Sequence, residues 1–258
     1  MGTDPTSEEQ RPTRLERALD RVPFLEKELL LLRWLVRPGD RCVDIGAAGG
    51  AHLLVMAAQA GPTGRVLGVE PRPRSFAVLR RIVQLAGLGR QVTLAPVALG
   101  DRSDDLDLRV PVVPTRAHLR GSTSDADTAA AFAGLPARRI SVPTRRLDDL
   151  VTATGLERVD VVKCDVEGAE LLVLAGATRV LSELRPIVVI EADDLHQRRF
   201  DATAQDVVDT ITVHGYRPYR YLCGRLVPVT GATAAEDDYV LVPGERAVPT
   251  AGLPNGSP

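Results

Sequence analysis

Hydrophobic and polar positions follow two rhythms along this chain. Short β-branched runs have the length and composition of strands: RCVDIG (41–46), RVLGVEP (65–71), QVTLAPVAL (91–99), VDVVKCD (159–165) and PIVVIEAD (186–193). Longer stretches with helical spacing separate them: HLLVMAAQA (52–60), RSFAVLRRIVQLAGL (74–88), GAELLVLAGATRVLSEL (168–184) and TAQDVVDTITVHG (203–215). Strands that alternate with helices predict an α/β fold, a parallel sheet covered by helices on both faces. YRPYRYLCGRLVPV (216–229) and DDYVLVP (237–243) read as a closing hairpin-like pair.

The same pattern divides the chain into one domain over residues 14–243, entered through a leucine-rich helical segment (14–37). Polar stretches rich in Pro, Gly, Ser and Thr at 1–13 and 244–258 read as disordered tails. Residues 101–145 break the rhythm with scattered Pro, Ser, Thr, Asp and Arg, and read as an irregular, flap-like insertion over the carboxyl edge of the sheet.

Composition narrows the function classes. The chain has 258 residues and a formal net charge of -2, so no basic field advertises a nucleic acid. No run is long and apolar enough for a membrane span, and the first residues are too polar for a signal peptide. The three cysteines, Cys42, Cys164 and Cys223, have no metal-finger or paired spacing and suit a reducing, cytoplasmic setting. Of the 32 basic residues only Lys27 and Lys163 are lysines, which singles out Lys163 inside an apolar strand. The apolar helix LEKELLLLRWLV (25–36) could pack on the domain or on a second copy of the chain as a homodimer.

Ligands of open parallel sheets bind beyond the carboxyl ends of the strands. Four strands here end in an acid: Asp44, Glu70, Asp165 and Glu191. That crevice repels phosphate and suits hydroxyl-bearing or cationic ligands. Glu70, at the end of the second strand, is placed to accept hydrogen bonds from both hydroxyls of a ribose. Gly46 and Gly50 allow close backbone approach and the turn into the next helix. Gly46, Gly49 and Gly50 do not have the G-x-G-x-x-G spacing of a dinucleotide site, which weighs against a nicotinamide-dependent oxidoreductase.

The run VDIGAAGG (43–50) followed by GVEP (68–71) resembles the first two motifs of class I S-adenosylmethionine-dependent methyltransferases. TRRLDDL (144–150), VVKCDVEGAELLVLAGA (161–177) and PIVVIEAD (186–193) resemble the FkbM family within that class, so that the likeness spans residues 40–243. The resemblance implies a Rossmann-like, seven-stranded and mostly parallel sheet with a reversed last strand. It also implies S-adenosylmethionine bound at the carboxyl edge, and transfer of its methyl group to a hydroxyl of a small molecule, a secondary metabolite or a sugar moiety. Asp44, Gly46 and Gly50 would then follow the methionine part of the cofactor, Glu70 the ribose, and Asp101 in ALGD the adenine. Ala48 stands where the family usually has asparagine, removing a polar contact near the cofactor. That departure leaves open a non-catalytic methyltransferase-like binding subunit.

For the reaction itself, Val161, Lys163 and Asp165 alternate onto one face of a strand. Lys163 is read as holding the carboxylates, or, if deprotonated, as the base; Asp165 is read as facing the acceptor hydroxyl. Glu167 and Glu170 suit a helix start. Asp165, Glu191 and Asp193 could hold Mg²⁺, an alternative the sequence leaves open. His196, just past a strand, is a candidate base, and His52 a candidate contact for cofactor or substrate, ahead of His118 and His214.

Overall fold

The computed structural model describes residues 27–111, 137–222, 225–232 and 238–248. The expected tail at 1–13, most of the tail at 244–258, the centre of the insertion with His118, and Cys223 lie outside the described residues.

Residues 14–26 of the expected helical segment also lie outside the described residues, among which the first element is α1 (Lys27–Leu35). The chain continues through β1 (Arg41–Ile45), α2 (Ala51–Ala60), β2 (Arg65–Val69), α3 (Pro73–Leu85) and β3 (Val92–Ala95). A small second sheet follows from β4 (Ala98–Leu99), β5 (Asp105–Pro111) and β6 (Ala137–Arg145). Then come α4 (Leu147–Ala153), β7 (Val161–Cys164), α5 (Glu170–Ala175), a π-helical turn (Val180–Leu184) and β8 (Ile187–Glu191). The chain closes with α6 (Asp194–Gln197), α7 (Ala204–Thr212), β9 (Tyr216–Leu222), β10 (Arg225–Pro228) and β11 (Asp238–Pro243).

Among the described residues the main sheet has eight strands in the order β10-β9-β11-β8-β7-β1-β2-β3. β3, β2, β1, β7 and β8 run parallel. β11 is the reversed strand, antiparallel to both β8 and β9. The expected seven strands are therefore present, with β10 added at the edge as the antiparallel hairpin partner of β9. The first strand order reversal falls at β1, whose neighbours are β2 and β7, and this is where an open α/β sheet leaves a crevice.

Strand alternation splits the core in two. Val43, Ile45, Leu67, Val162 and Cys164 face one layer, which includes Leu174 of α5 and Val207 and Ile211 of α7. Cys42, Val66 and Val161 face the other, with Leu31, Leu32 and Leu35 of α1, Leu53 and Met56 of α2 and Leu79 of α3. Burying each such leucine contributes roughly 1.5–3 kcal/mol, which ties α1 firmly to the sheet. On this second face Gly68 leaves room for Leu53, because a Cβ there would collide with the Leu53 and Leu94 side chains.

Four expectations need correction. The single strand expected over 91–99 is two, because Pro96 interrupts the ladder and Ala98–Leu99 pairs with β6 instead of extending β3. The insertion is not irregular throughout: Leu106, Leu108 and Val110 alternate with polar residues and pair with Val142, Ile140 and Arg138 across an antiparallel ladder. The helix expected over 168–184 breaks after Ala175, where Gly176 packs so closely on the Gly100 carbonyl that a Cβ would overlap it. Residues 244–248 are no tail: Gly244 donates to the Gly215 carbonyl at 2.9 Å and Glu245 pairs with Arg185 Nη2 at 2.7 Å.

Candidate active site

The loop after β1 owes its shape to three backbone positions in the left-handed region. Gly46 has φ 81°, Ala48 φ 41° and Gly50 φ 84°. A Cβ on Gly46 would collide with the Asp165 carbonyl, so glycine is what lets the β1 loop lie against the end of β7. Gly50 stands at the N-cap of α2, and a Cβ there would press on Leu79.

Glu70 follows β2 directly and is 1% exposed. Its Oε2 accepts from the Ala48 N–H at 2.9 Å, and its Oε1 accepts from the Arg72 N–H at 2.8 Å and from Arg72 Nε at 2.9 Å. The same carboxylate therefore pins the glycine loop and the start of α3. The bond from position 48 to Glu70 comes from the backbone, so it is available whichever side chain stands there. The cost of alanine here is the left-handed conformation itself.

Asp44 lies within β1 and is fully buried, and among the described residues neither of its carboxylate oxygens has a hydrogen-bond partner. Register places it beside Gly68 on one side and Lys163 on the other. Burial pushes the Asp44 carboxyl up, while Lys163 and His52 pull it down. Lys163, also fully buried, donates from Nζ to Asp165 Oδ2 at 2.9 Å. Burial alone would lower the Lys163 ammonium, but Asp165, Asp44 and Glu28 outweigh it and raise it, so the lysine stays charged.

Asp165 follows β7, and Glu191 ends β8 beside it. The two carboxyls share a hydrogen bond. Burial works against the Asp165 carboxylate, but Lys163 and the bond from Glu191 hold it down and ionised. Glu191 goes the other way, raised by burial, by Asp165 and by Asp238, so the proton of the pair resides on Glu191. Asp238, which faces Glu191 across the β8–β11 ladder, was not anticipated from sequence, since nothing in DDYVLVP indicates that β11 slips in beside β8.

A further acid reaches this edge from an unexpected direction. Glu28 of α1 sits 3.1 Å from His52 Nε2 at the start of α2, with both side chains largely buried. The bond from His52 holds Glu28 below the usual carboxylate range against the effect of burial. His52 is raised, because the bond to Glu28 and the charges of Glu28 and Asp44 outweigh burial and Lys163. An acid within an apolar helix was the one signal that could have pointed to Glu28.

The other candidates stand apart. Asp101 is exposed and joins the fold through its carbonyl, which accepts from Arg146 Nη1 at 2.6 Å. Asp193 caps α6, its Oδ1 accepting from the Leu195 N–H at 2.8 Å, with His196 Nδ1 3.8 Å from its Oδ2. Glu170 is buried and accepts from the backbone of Val166 and Gly168 and from Gln197, so it organises the turn after β7. Glu167 holds a left-handed φ of 55° in that turn. His214 contributes its carbonyl to Arg185 at 2.7 Å. Among the described residues, no group of three or more His, Cys, Asp or Glu is arranged to hold a metal ion. Nor, among them, is any helix long and apolar enough to cross a membrane.

Residues 44–218 match the family model described as the methyltransferase FkbM domain. The chain is 30% identical over 171 residues to a protein named 2-O-methyltransferase NoeI from Sinorhizobium fredii, covering 62% of this chain and 66% of that one. It is also 30% identical over 200 residues to 31-O-demethyl-FK506 methyltransferase FkbM from Streptomyces tacrolimicus, covering 70% of this chain and 74% of that one. The match to a methyltransferase named sdnD from Sordaria araneosa covers 64% of that protein, so the chain spans about two thirds of the length of these relatives. A crystal structure of methyltransferase FkbM from Methylobacillus flagellatus superposes with a TM-score of 0.49 at 19% identity, over 84% of this chain and 50% of that one.

Proposed function

The chain belongs to the FkbM methyltransferase family, and on that premise we propose that it transfers a methyl group from S-adenosylmethionine to a hydroxyl of a small-molecule acceptor. The observation that carries this reading is Asp44, a buried carboxylate with neither oxygen hydrogen-bonded among the described residues, beside a loop that needs glycine to keep its backbone bare. A buried polar group left without a hydrogen bond costs roughly 1–3 kcal/mol, and a charged one more; a cationic ligand group that bonds to Asp44 removes that cost. The ammonium of an amino-acid tail fits that requirement and a pyrophosphate does not.

S-adenosylmethionine supplies, when bound, an electrophilic methyl group on a sulfonium. The rest falls to the protein. Asp44 would take the ammonium, and Glu70 the ribose hydroxyls, exchanging part of its bonding to Arg72, whose side chain is 40% exposed and can swing aside. Lys163 remains an ammonium and holds Asp165 ionised, so Lys163 is a poor base and Asp165 an anionic acceptor that orients the substrate hydroxyl. Glu191, protonated, keeps the edge from accumulating another negative charge. Names of two relatives specify O-methylation, which supports a hydroxyl as the acceptor group.

Calorimetry tests the cofactor: S-adenosylhomocysteine should bind and NAD(H) should not. The reverse pattern would favour an oxidoreductase and end this reading. Labelled S-adenosylmethionine offered with a panel of hydroxylated metabolites and sugars then tests methyl transfer, and label appearing only in amine or carbon acceptors would refute the hydroxyl.

A further inference from the structure

The proposed reaction releases a proton from the acceptor hydroxyl, and none of the acids or bases read from the strand ends is suited to receive it. Lys163 is already protonated and buried against its counter-ions. Asp165 is held ionised by that lysine and is a weak base for the same reason. Glu191 carries the proton of the carboxyl pair. His52 differs from all three. It sits at the start of α2, two residues beyond the cofactor loop, within electrostatic reach of Asp44, Asp165 and Lys163.

His52 is also held from behind. α1 lies on α2 through Leu31, Leu32 and Leu35, which are at most 4% exposed, and this packing brings Glu28 in the first turn of α1 to 3.1 Å from His52 Nε2. An exposed acid in a first turn is ordinarily explained by the helix dipole. That explanation does not extend to a carboxylate whose side chain is only 14% exposed and which faces an imidazole. A carboxylate on one ring nitrogen fixes the tautomer and directs the other nitrogen away from it.

Building on the methyl-transfer reading, we propose that Glu28 is a positioning residue: its carboxylate orients His52 so that the imidazole takes the proton released when the acceptor hydroxyl is methylated. As the O–H bond breaks, the oxygen pair forms the new bond to the methyl carbon, the methyl–sulfur pair stays on sulfur, and the proton passes to the ring and then to water. Glu28 from α1 faces His52 at 3.1 Å, and the charges of Asp44 from β1 and of Lys163 and Asp165 from the end of β7 act on it from further off.

The test follows the His52 ring by NMR across pH in the full chain, with the His52→Gln variant identifying its signal among the four histidines. Glu28→Gln should move the His52 midpoint to lower pH, and Glu28→Asp should restore part of the shift. In the wild-type chain, the complex with S-adenosylmethionine should show a lower midpoint than the complex with S-adenosylhomocysteine, because the two differ by the methyl group and its positive charge. Equal midpoints in the two complexes would place His52 away from the reacting centre and overturn the inference, even if the variants fail to fold. An unmoved midpoint in Glu28→Gln would equally overturn it. Failure of both nucleosides to bind would instead strike the methyl-transfer reading, and the inference would fall with it.

Discussion

Glu70→Gln separates two jobs that one carboxylate performs. The substitution keeps the shape of the side chain and removes its charge. In the structure, both oxygens accept backbone N–H groups, Ala48 at 2.9 Å and Arg72 at 2.8 Å, so the amide must turn its NH2 toward one of them. A buried donor left facing a donor costs roughly 1–3 kcal/mol. The ion pair to Arg72 adds little, because that side chain is 40% exposed and surface pairs contribute about 0–1 kcal/mol. The expected loss is about 2–3 kcal/mol, which for a domain of this size lowers the thermal midpoint by roughly 4–12 °C. Urea titration measures the first effect. Calorimetry with S-adenosylhomocysteine measures the second, an expected tenfold or greater loss of affinity from about 1.5 kcal/mol or more of charge-assisted bonding. Wild-type stability would refute the bonding scheme around Glu70. Lost stability with unchanged affinity would leave Glu70 as an anchor of the loop and remove it from the ligand site.

Ala48→Asn should stabilise the chain by about 1 kcal/mol in chemical denaturation, because asparagine adopts the left-handed conformation at lower cost; a destabilised variant would show that side-chain space at 48 matters more than φ. Gly46→Ala should cost roughly 3 kcal/mol or more, combining the left-handed φ with the overlap on the Asp165 carbonyl, and a near-neutral urea midpoint would contradict the packing of the β1 loop on β7. Lys163→Met strands the buried Asp44 charge and the half-buried Asp165 charge and should lose about 3–5 kcal/mol, recovered in part by adding Asp165→Asn; no recovery would argue against their coupling. Glu191 is raised in the folded chain, so the folded state binds its proton more tightly and stability falls as pH rises above the ordinary carboxyl value. Glu191→Gln should therefore gain on wild type between pH 5 and 8, by at most about 1.4 kcal/mol per pH unit; parallel stability curves would disprove the shared proton.

Much of this architecture was legible because parallel strands need β-branched runs and each carries its own length signal. Glu70, Asp165 and Glu191 lie at strand ends, as the close of each β-branched run indicates. Asp44 reads as a strand-end acid, whereas the structure sets it inside β1, and its depth of burial is invisible to spacing alone. What escaped the sequence depends on packing between segments far apart. Glu28 meets His52 only because leucines of α1 choose the same sheet face as α2. Gly176 ends a helix through contact with Gly100, a neighbour no local pattern names. Residues 105–111 and 137–145 pair across a long separation, and their proline and charge content hid the alternation that supports the ladder.

The position of β11 has a consequence for synthesis. It lies between β8 and β9, so among the described residues β9 and β10 join the hydrogen-bonded ladder of the main sheet only through β11, although both precede it in the chain. A ribosome adding ~5–20 residues per second thus delivers a β9–β10 hairpin that must wait, with the β8 edge bare, until residues 238–243 arrive. Closure of the sheet is then one late event, and the interval before it is when the nascent chain offers a hydrophobic strand edge to chaperones or to its neighbours on the same messenger.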